Sequence, residues 1–211
     1  MSVLILAMPR SQSTRLYYGL QDTKSFTRCF YEPGSQESWE HFSFDRVATL
    51  SEESYREVDE ALDCPDGRVL VKVVPIGLEN PLSVQRLRLW ARRFDQVIFI
   101  DRPFLSAAPS FFLASIAQEW IHPTSHCARY EETAHRHILE RLFLDRLVLR
   151  QWRSFFSQVT SLTHTEVSGY MERHHLLTST AGLSEVPYAS RIENYEEFMQ
   201  AAAKWDSLLA T

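Results

Sequence analysis

The sequence predicts a three-layer α/β fold, in which a parallel β-sheet carries helices on both faces. Short apolar runs rich in β-branched residues alternate with helical patterns along the first half of the chain. This alternation is typical of βαβ units joined by right-handed crossovers. Hydrophobic residues make up 45% of the 211 residues and charged residues 23%, which is an ordinary globular balance. We therefore expect one domain over residues 1–211, with a helical C-terminal half.

The expected strands are short, and the clearest of them are almost free of charge. The run from Val69 to Val74 carries one charged residue among valines and leucine, as in a strand that is buried on both faces. Glycine, proline or aspartate follows several of the runs and ends them. The expected strands are Val3–Met8, Phe26–Tyr31, Arg68–Val74, Gln96–Asp101 and Ser161–Val167.

The segments between the strands carry apolar residues at helical spacing. The long pattern of Tyr130–Phe156 indicates either one amphipathic helix or a broken pair packed on the sheet. Leu176–Ala189 is rich in Thr, Ser, Gly and Pro and is expected to be a loop. The expected helices are Ser13–Gln21, Glu52–Leu62, Pro81–Phe94, Ser106–Trp120, Tyr130–Phe156, Ser168–His175 and Asn194–Leu209.

The first strand runs directly into a polar turn, Pro9-Arg10-Ser11-Gln12-Ser13-Thr14, and then into a helix. A helix N-terminus presents unpaired N–H groups and a positive dipole end, so such a turn suits phosphate or sulfate. An ordinary N-capped helix start is the alternative, since Ser and Thr favour such positions. Ligands of parallel sheets lie beyond the carboxyl ends of the strands. We therefore expect the loops after Met8, Tyr31, Val74 and Asp101 to converge on one crevice.

Charge and cysteine content exclude several functions. The net charge of −5 argues against general nucleic-acid binding. Cys29, Cys64 and Cys127 have neither zinc-site nor disulfide-framework spacing. No apolar stretch approaches the roughly 20 residues that span a bilayer, and the run Val3–Met8 is too short for a signal-peptide core and lacks a basic leader. We expect a cytoplasmic protein with no metal, nucleic-acid or membrane partner.

The polar turn resembles the phosphosulfate loop of the P-loop-like sulfotransferases, which use 3′-phosphoadenosine 5′-phosphosulfate (PAPS) as donor. The Walker A pattern GxxxxGK[ST] is absent, and Gln12 stands where many members of that family have Gly. The resemblance implies a P-loop NTPase-like sheet. It also implies that the 5′-phosphosulfate is held by Arg10, Ser11, Gln12, Ser13 and Thr14, with Arg10 neutralising charge on the leaving phosphate.

Two later segments extend the resemblance. The strand Gln96–Asp101 is followed by Arg102, and Ser110 stands eight positions further on, a spacing that the family uses for the donor's 3′-phosphate. Val69-Leu-Val-Lys72-Val-Val-Pro75 resembles the family's Lys-x-x-Pro strand, whose Lys lies near the transferring sulfonyl group. A surface Arg with a cap Ser, and a solvated lysine, are the alternative interpretations.

The resemblance leaves the catalytic base open. Some members carry a His two residues after that Lys, where this chain has Val74. Others use a Glu after the second strand, which Glu32 before Pro33 matches, although acidic residues are also common in turns. His41 is the reserve candidate, and Tyr188 with Arg191 is a guess at a lid over the adenine.

The resemblance implies in-line transfer of a sulfonyl group from PAPS to a hydroxyl of a carbohydrate or small molecule. Glu32 would be the base, with Arg10 and Lys72 carrying charge. Two alternatives remain. A Mg²⁺-dependent phosphotransferase of the kinase-like P-loop type would need a metal-holding carboxylate, for which Asp101 is the candidate. A non-catalytic nucleotide-binding protein would keep the pocket alone.

Overall fold

The computed structural model describes residues 1–33, 44–75, 84–117, 127–176 and 187–209. The first half of the chain alternates strands and helices, as the sequence predicts. The strands are β1 (Val3–Ala7), β2 (Arg28–Tyr31), β3 (Val69–Val73), β4 (Gln96–Asp101) and β5 (Thr160–Thr163). The helices are α1 (Ser13–Asp22), α2 (Phe44–Asp63), α3 (Val84–Trp90), α4 (Phe104–Ala117), α5 (Glu132–Arg153), α6 (Glu166–Arg173) and α7 (Tyr195–Leu208).

The five strands form one parallel sheet in the order β2-β3-β1-β4-β5. The predicted α/β class with a parallel sheet is therefore confirmed. Strand β1 is central, and its residues alternate between two cores, as the period of two along a strand requires. Leu4 and Leu6 face the core under α2, α3, α4, α5 and α7. Val3 and Ile5 face the core under α1 and α6.

The chain leaves neighbouring strands toward opposite faces of the sheet. Helix α1, which follows β1, packs in one core, and α4, which follows β4, packs in the other. This divergence opens a crevice between the carboxyl ends of β1 and β4, where open α/β sheets bind ligands. The amide of Met8 donates to the Ile100 carbonyl at 3.0 Å and keeps the two strand ends together there.

Several element boundaries differ from the sequence-based expectation. Helix α2 begins at Phe44 instead of Glu52. Helix α5 is one continuous helix, which is one of the two expected alternatives for that segment, and it begins at Glu132 instead of Tyr130. Helix α6 begins at Glu166 because that carboxylate accepts hydrogen bonds from the Thr163 amide (2.7 Å) and hydroxyl (2.8 Å), which ends β5 early. None of the helices in the described ranges is long and apolar enough to cross a bilayer.

Candidate functional site

The turn after β1 adopts backbone conformations that side-chain-bearing residues rarely take. Arg10 and Gln12 have φ of 62° and 64°, in the left-handed region, whereas Ser11 between them does not. Such alternation turns successive N–H groups toward one concave point and makes an anion-binding nest. A residue other than glycine in this region costs roughly 1–3 kcal/mol of backbone strain. Residues strained in this way are typical of functional sites. Gln12 thus takes the conformation that glycine would take without strain.

The same turn buries one hydroxyl that still has hydrogen-bonding capacity, and its next residue leaves the first turn of α1 uncapped. The Ser11 hydroxyl is fully buried and has no hydrogen-bond partner in the described part of the chain. Gln12 is the N-cap of α1, yet its side chain makes no capping hydrogen bond to the first turn. Because buried polar groups are nearly always paired, an unpartnered hydroxyl at a helix N-terminus fits an anionic ligand.

Arg102 fastens the end of β4 to the turn after β1. Its Nη1 donates to the Arg10 carbonyl at 2.5 Å, its Nη2 to the Ser106 carbonyl at 2.6 Å, and its Nε contacts the Ser106 hydroxyl at 3.4 Å. Arg10 in turn donates from Nε to the Ser110 hydroxyl at 2.9 Å. The structure therefore brings Arg10, Arg102 and Ser110 together, although β1 and β4 lie far apart in sequence.

A third arginine joins this group from the C-terminal part of the chain. Arg191 is 8% exposed, and a bridge between Ala128 and Ile192 fixes its backbone. Burial lowers the pKa of the Arg10 guanidinium, the charges of Arg102 and Arg191 lower it further, and Tyr188 opposes them. Two arginines from distant segments thus act on the charge of Arg10, which favours a bound anion beside it.

Lys72 forms a second cationic point on the other side of β1. Its side chain is almost fully buried, and its Nζ lies 3.1 Å from the Thr14 hydroxyl in the first turn of α1. The ammonium also forms an ion pair with the Glu32 carboxylate and lies 4.2 Å from the centre of the Tyr31 ring. Burial is the main cause that lowers the pKa of Lys72, and Glu32 opposes it.

The register between β2 and β3 creates this contact. Tyr31 is opposite Lys72 in the parallel pair, and the Glu32 amide donates to the Lys72 carbonyl at 2.8 Å. Glu32 has φ of 47°, so the chain turns sharply just past β2. The Tyr31 hydroxyl completes the cluster at 3.0 Å from the Thr14 hydroxyl. Lys72, Glu32 and Thr14 therefore lie together, as expected for the loops after β1, β2 and β3.

Asp101, the sequence-based candidate for a magnesium ligand, has both carboxylate oxygens in contact with hydrogen-bond donors. One carboxylate oxygen accepts the Arg102 amide at 2.8 Å, and the other lies 3.3 Å from Nη2 of the buried Arg146. Arg146 also reaches Asp206 in α7 at 3.6 Å. These contacts do not favour a metal-ligand role for Asp101. Within the described ranges, no group of three His, Cys, Asp or Glu could hold a metal ion.

Some sequence-based predictions fall outside the described residues. His41, the reserve base, is one of them. Conversely, sequence reasoning gave Arg191 a place near adenine and did not associate it with Arg10. It also missed Tyr18, whose exposed ring stacks on Tyr31, although Tyr18 stands one helical turn after Thr14.

Comparisons with known proteins identify no family for this chain. No family model matches it, and no curated protein matches it either. Matching solved structures include the apo form of a GTPase from Pyrococcus abyssi, with a TM-score of 0.37 and 16% sequence identity. That match covers 83% of this chain and 95% of the GTPase. At this score and identity, the likeness carries nothing about the activity of this chain.

Proposed function

We propose that this chain is a PAPS-dependent sulfotransferase. The observation that carries the proposal is the group of Arg10, Arg102 and Arg191 beside the buried hydroxyl of Ser11, which has no hydrogen-bond partner among the described residues. This group lies on one side of β1, and the Lys72 ammonium lies on the other. PAPS carries a phosphate at the 3′ position and a phosphosulfate at the 5′ position. Two separated cationic points along one strand-end crevice suit a donor with two anionic ends.

Arg102 keeps hydrogen-bonding capacity for the 3′-phosphate even though it holds the loop. A guanidinium has five N–H donors, and three of these make the contacts to Arg10 and Ser106. Among the described residues, one donor on each Nη is left without a protein partner. We assign Arg102, Ser110 and Arg191 to the 3′-phosphate.

We assign the 5′-phosphosulfate to the turn after β1, where N–H groups, hydroxyls and a guanidinium gather. This arrangement is suited to stabilise charge as it develops, in the way that preorganised donors do in oxyanion holes. The residues are Arg10, Ser11, Gln12, Ser13 and Thr14.

In the proposed reaction the acceptor hydroxyl oxygen attacks sulfur in line. A new S–O bond forms while the S–O bond to the 5′-phosphate breaks, and its electron pair leaves on adenosine 3′,5′-bisphosphate. Glu32 takes the acceptor proton, and Lys72 with Arg10 stabilises the charge that passes to the leaving group. Most of the catalysis is then positioning plus charge stabilisation, as in phosphoryl transfer. These roles require no metal.

The test is a turnover assay with PAPS and a panel of phenols, sugars and aliphatic alcohols, with a chelator present. Release of adenosine 3′,5′-bisphosphate and formation of a sulfated acceptor are the expected results. Transfer from ATP that depends on Mg²⁺, with none from PAPS, would favour a phosphotransferase. Tight binding of the bisphosphate without turnover on any acceptor would favour a non-catalytic binding protein.

A further inference from the structure

Two tyrosines beside the proposed transfer point have exposed rings that stack on each other. Tyr18 is 48% exposed and Tyr31 is 37% exposed. Their ring centres are 5.8 Å apart, and the rings are within 13° of parallel. Tyr17, which is buried, contacts both edge-on at 5.5 Å and 5.3 Å. The pair, called here the tyrosine platform, is therefore supported from beneath and fixed in orientation.

The tyrosine platform is continuous with the reacting groups. The Tyr31 hydroxyl lies 3.0 Å from the Thr14 hydroxyl, and the Lys72 ammonium is 4.2 Å from the centre of the Tyr31 ring. Tyr18 is one helical turn beyond Thr14 on α1. A molecule packed against the exposed part of Tyr31 would thus adjoin Thr14, Lys72 and Glu32. Aromatic faces recognise flat rings by offset stacking, and tyrosine supplies them at low entropic cost.

The acceptor must lose one proton, and Glu32 is the proposed base. A carboxylate is in general a weak base, so it takes a proton more readily from an acidic hydroxyl. A phenolic hydroxyl has a pKa of about 10, whereas an aliphatic hydroxyl is far less acidic. A carboxylate base therefore suits a phenol better than an aliphatic alcohol.

We propose that the acceptor is a phenol, a planar aryl ring bearing a hydroxyl, which packs on the tyrosine platform. This inference rests on the proposed sulfotransferase function. The phenolic O–H bond breaks with its proton passing to Glu32, and the oxygen forms the new bond to sulfur. The bisphosphate leaves with the electron pair of the broken S–O bond. The products are an aryl sulfate and adenosine 3′,5′-bisphosphate.

The first experiment compares aromatic with non-aromatic acceptors, using PAPS and the full chain. We expect kcat/KM for 2-naphthol to exceed that for cyclohexanol or galactose by at least about tenfold. The Tyr18→Ala change should raise KM for 2-naphthol about three- to tenfold, with kcat and bisphosphate affinity unchanged. Tyr18→Phe keeps the ring and should restore most of the affinity. Leu147→Ala, which removes an exposed side chain on α5, is the matched control and should change neither constant.

A second readout uses the acidity of the acceptor. If the acceptor is a phenol, the loss caused by Glu32→Gln should be smaller for a more acidic nitrophenol than for unsubstituted phenol, because less proton removal is needed. An equal loss for both phenols would contradict the role assigned to acceptor acidity.

The outcomes separate this inference from the function on which it rests. Bisphosphate binding together with a preference for sugars or aliphatic alcohols would overturn the phenol assignment and leave the sulfotransferase intact. The same follows if the bisphosphate binds but calorimetry detects no 2-naphthol binding to that complex, or if Tyr18→Ala binds 2-naphthol as tightly as the parent. Absence of any bisphosphate binding would overturn both.

Discussion

Replacing Arg102 with alanine tests the assignment of the 3′-phosphate. The change removes hydrogen bonds at 2.5 Å and 2.6 Å to the carbonyls of Arg10 and Ser106, together with the charge proposed to hold the phosphate. A hydrogen bond to a charged group contributes about 1.5–3 kcal/mol. We expect a loss of roughly 2–3 kcal/mol in binding adenosine 3′,5′-bisphosphate, or about 30- to 150-fold in affinity.

The loss should depend on the 3′-phosphate. Adenosine 5′-phosphate lacks that group, so its affinity should fall by less than about tenfold, from loosening of the turn alone. Titration calorimetry measures both ligands. The matched control is Arg68→Ala, which removes an equal charge just before β3, at the amino ends of the strands and away from the crevice. Equal losses for the two ligands, or an unchanged affinity for the bisphosphate, would refute the assignment.

Three further predictions concern the remaining groups. Glu32→Gln should lower turnover by about 10²–10⁴ with little change in donor affinity, and a loss of only a few-fold would remove Glu32 as the base. Gln12→Gly should be about 1 kcal/mol more stable to urea than Gln12→Ala, since φ is 64°. Lys24→Gly should likewise be more stable than Lys24→Ala, since φ there is 54°, and neither change should affect donor binding. Equal stabilities of the Gly and Ala variants would argue against backbone strain. Burial lowers the pKa of Lys72 in the folded state. Between that lowered pKa and the ordinary value of 10.5, the Lys72 amine therefore binds more protons in the unfolded chain than in the folded one. Its contribution to the free energy of unfolding therefore rises with pH in that window, and Lys72→Met should flatten the rise; an unchanged slope would contradict the lowered pKa.

Sequence patterns were sufficient to place the residues that follow strands. Arg10, Lys72 and Arg102 lie in or just after apolar runs, and parallel pairing brings the carboxyl ends of such runs to one edge. The alternation of strands and helices also predicted the fold class. Helix boundaries were less predictable, because the start of α6 depends on a hydrogen bond between a side chain and the backbone near Thr163.

Two kinds of contact could not be predicted: those that depend on the register between strands, and those between segments far apart in the sequence. The pairing of Lys72 with Glu32 requires β2 to align so that Tyr31 is opposite Lys72, and the sequence does not specify that alignment. Arg191 reaches the crevice from a segment without hydrophobic periodicity, held by a bridge between Ala128 and Ile192. Such positions depend on tertiary packing, which local propensity does not encode.

The most direct test of the account is the choice between two nucleotides by the unmodified protein. Ligands that bind only the native state raise the melting temperature according to concentration and affinity. With a chelator present, adenosine 3′,5′-bisphosphate should raise Tm, and should do so by more than an equal concentration of ATP with Mg²⁺. A larger shift with ATP and Mg²⁺, or none with the bisphosphate, would contradict the claim that the crevice between β1 and β4 holds a doubly phosphorylated adenosine.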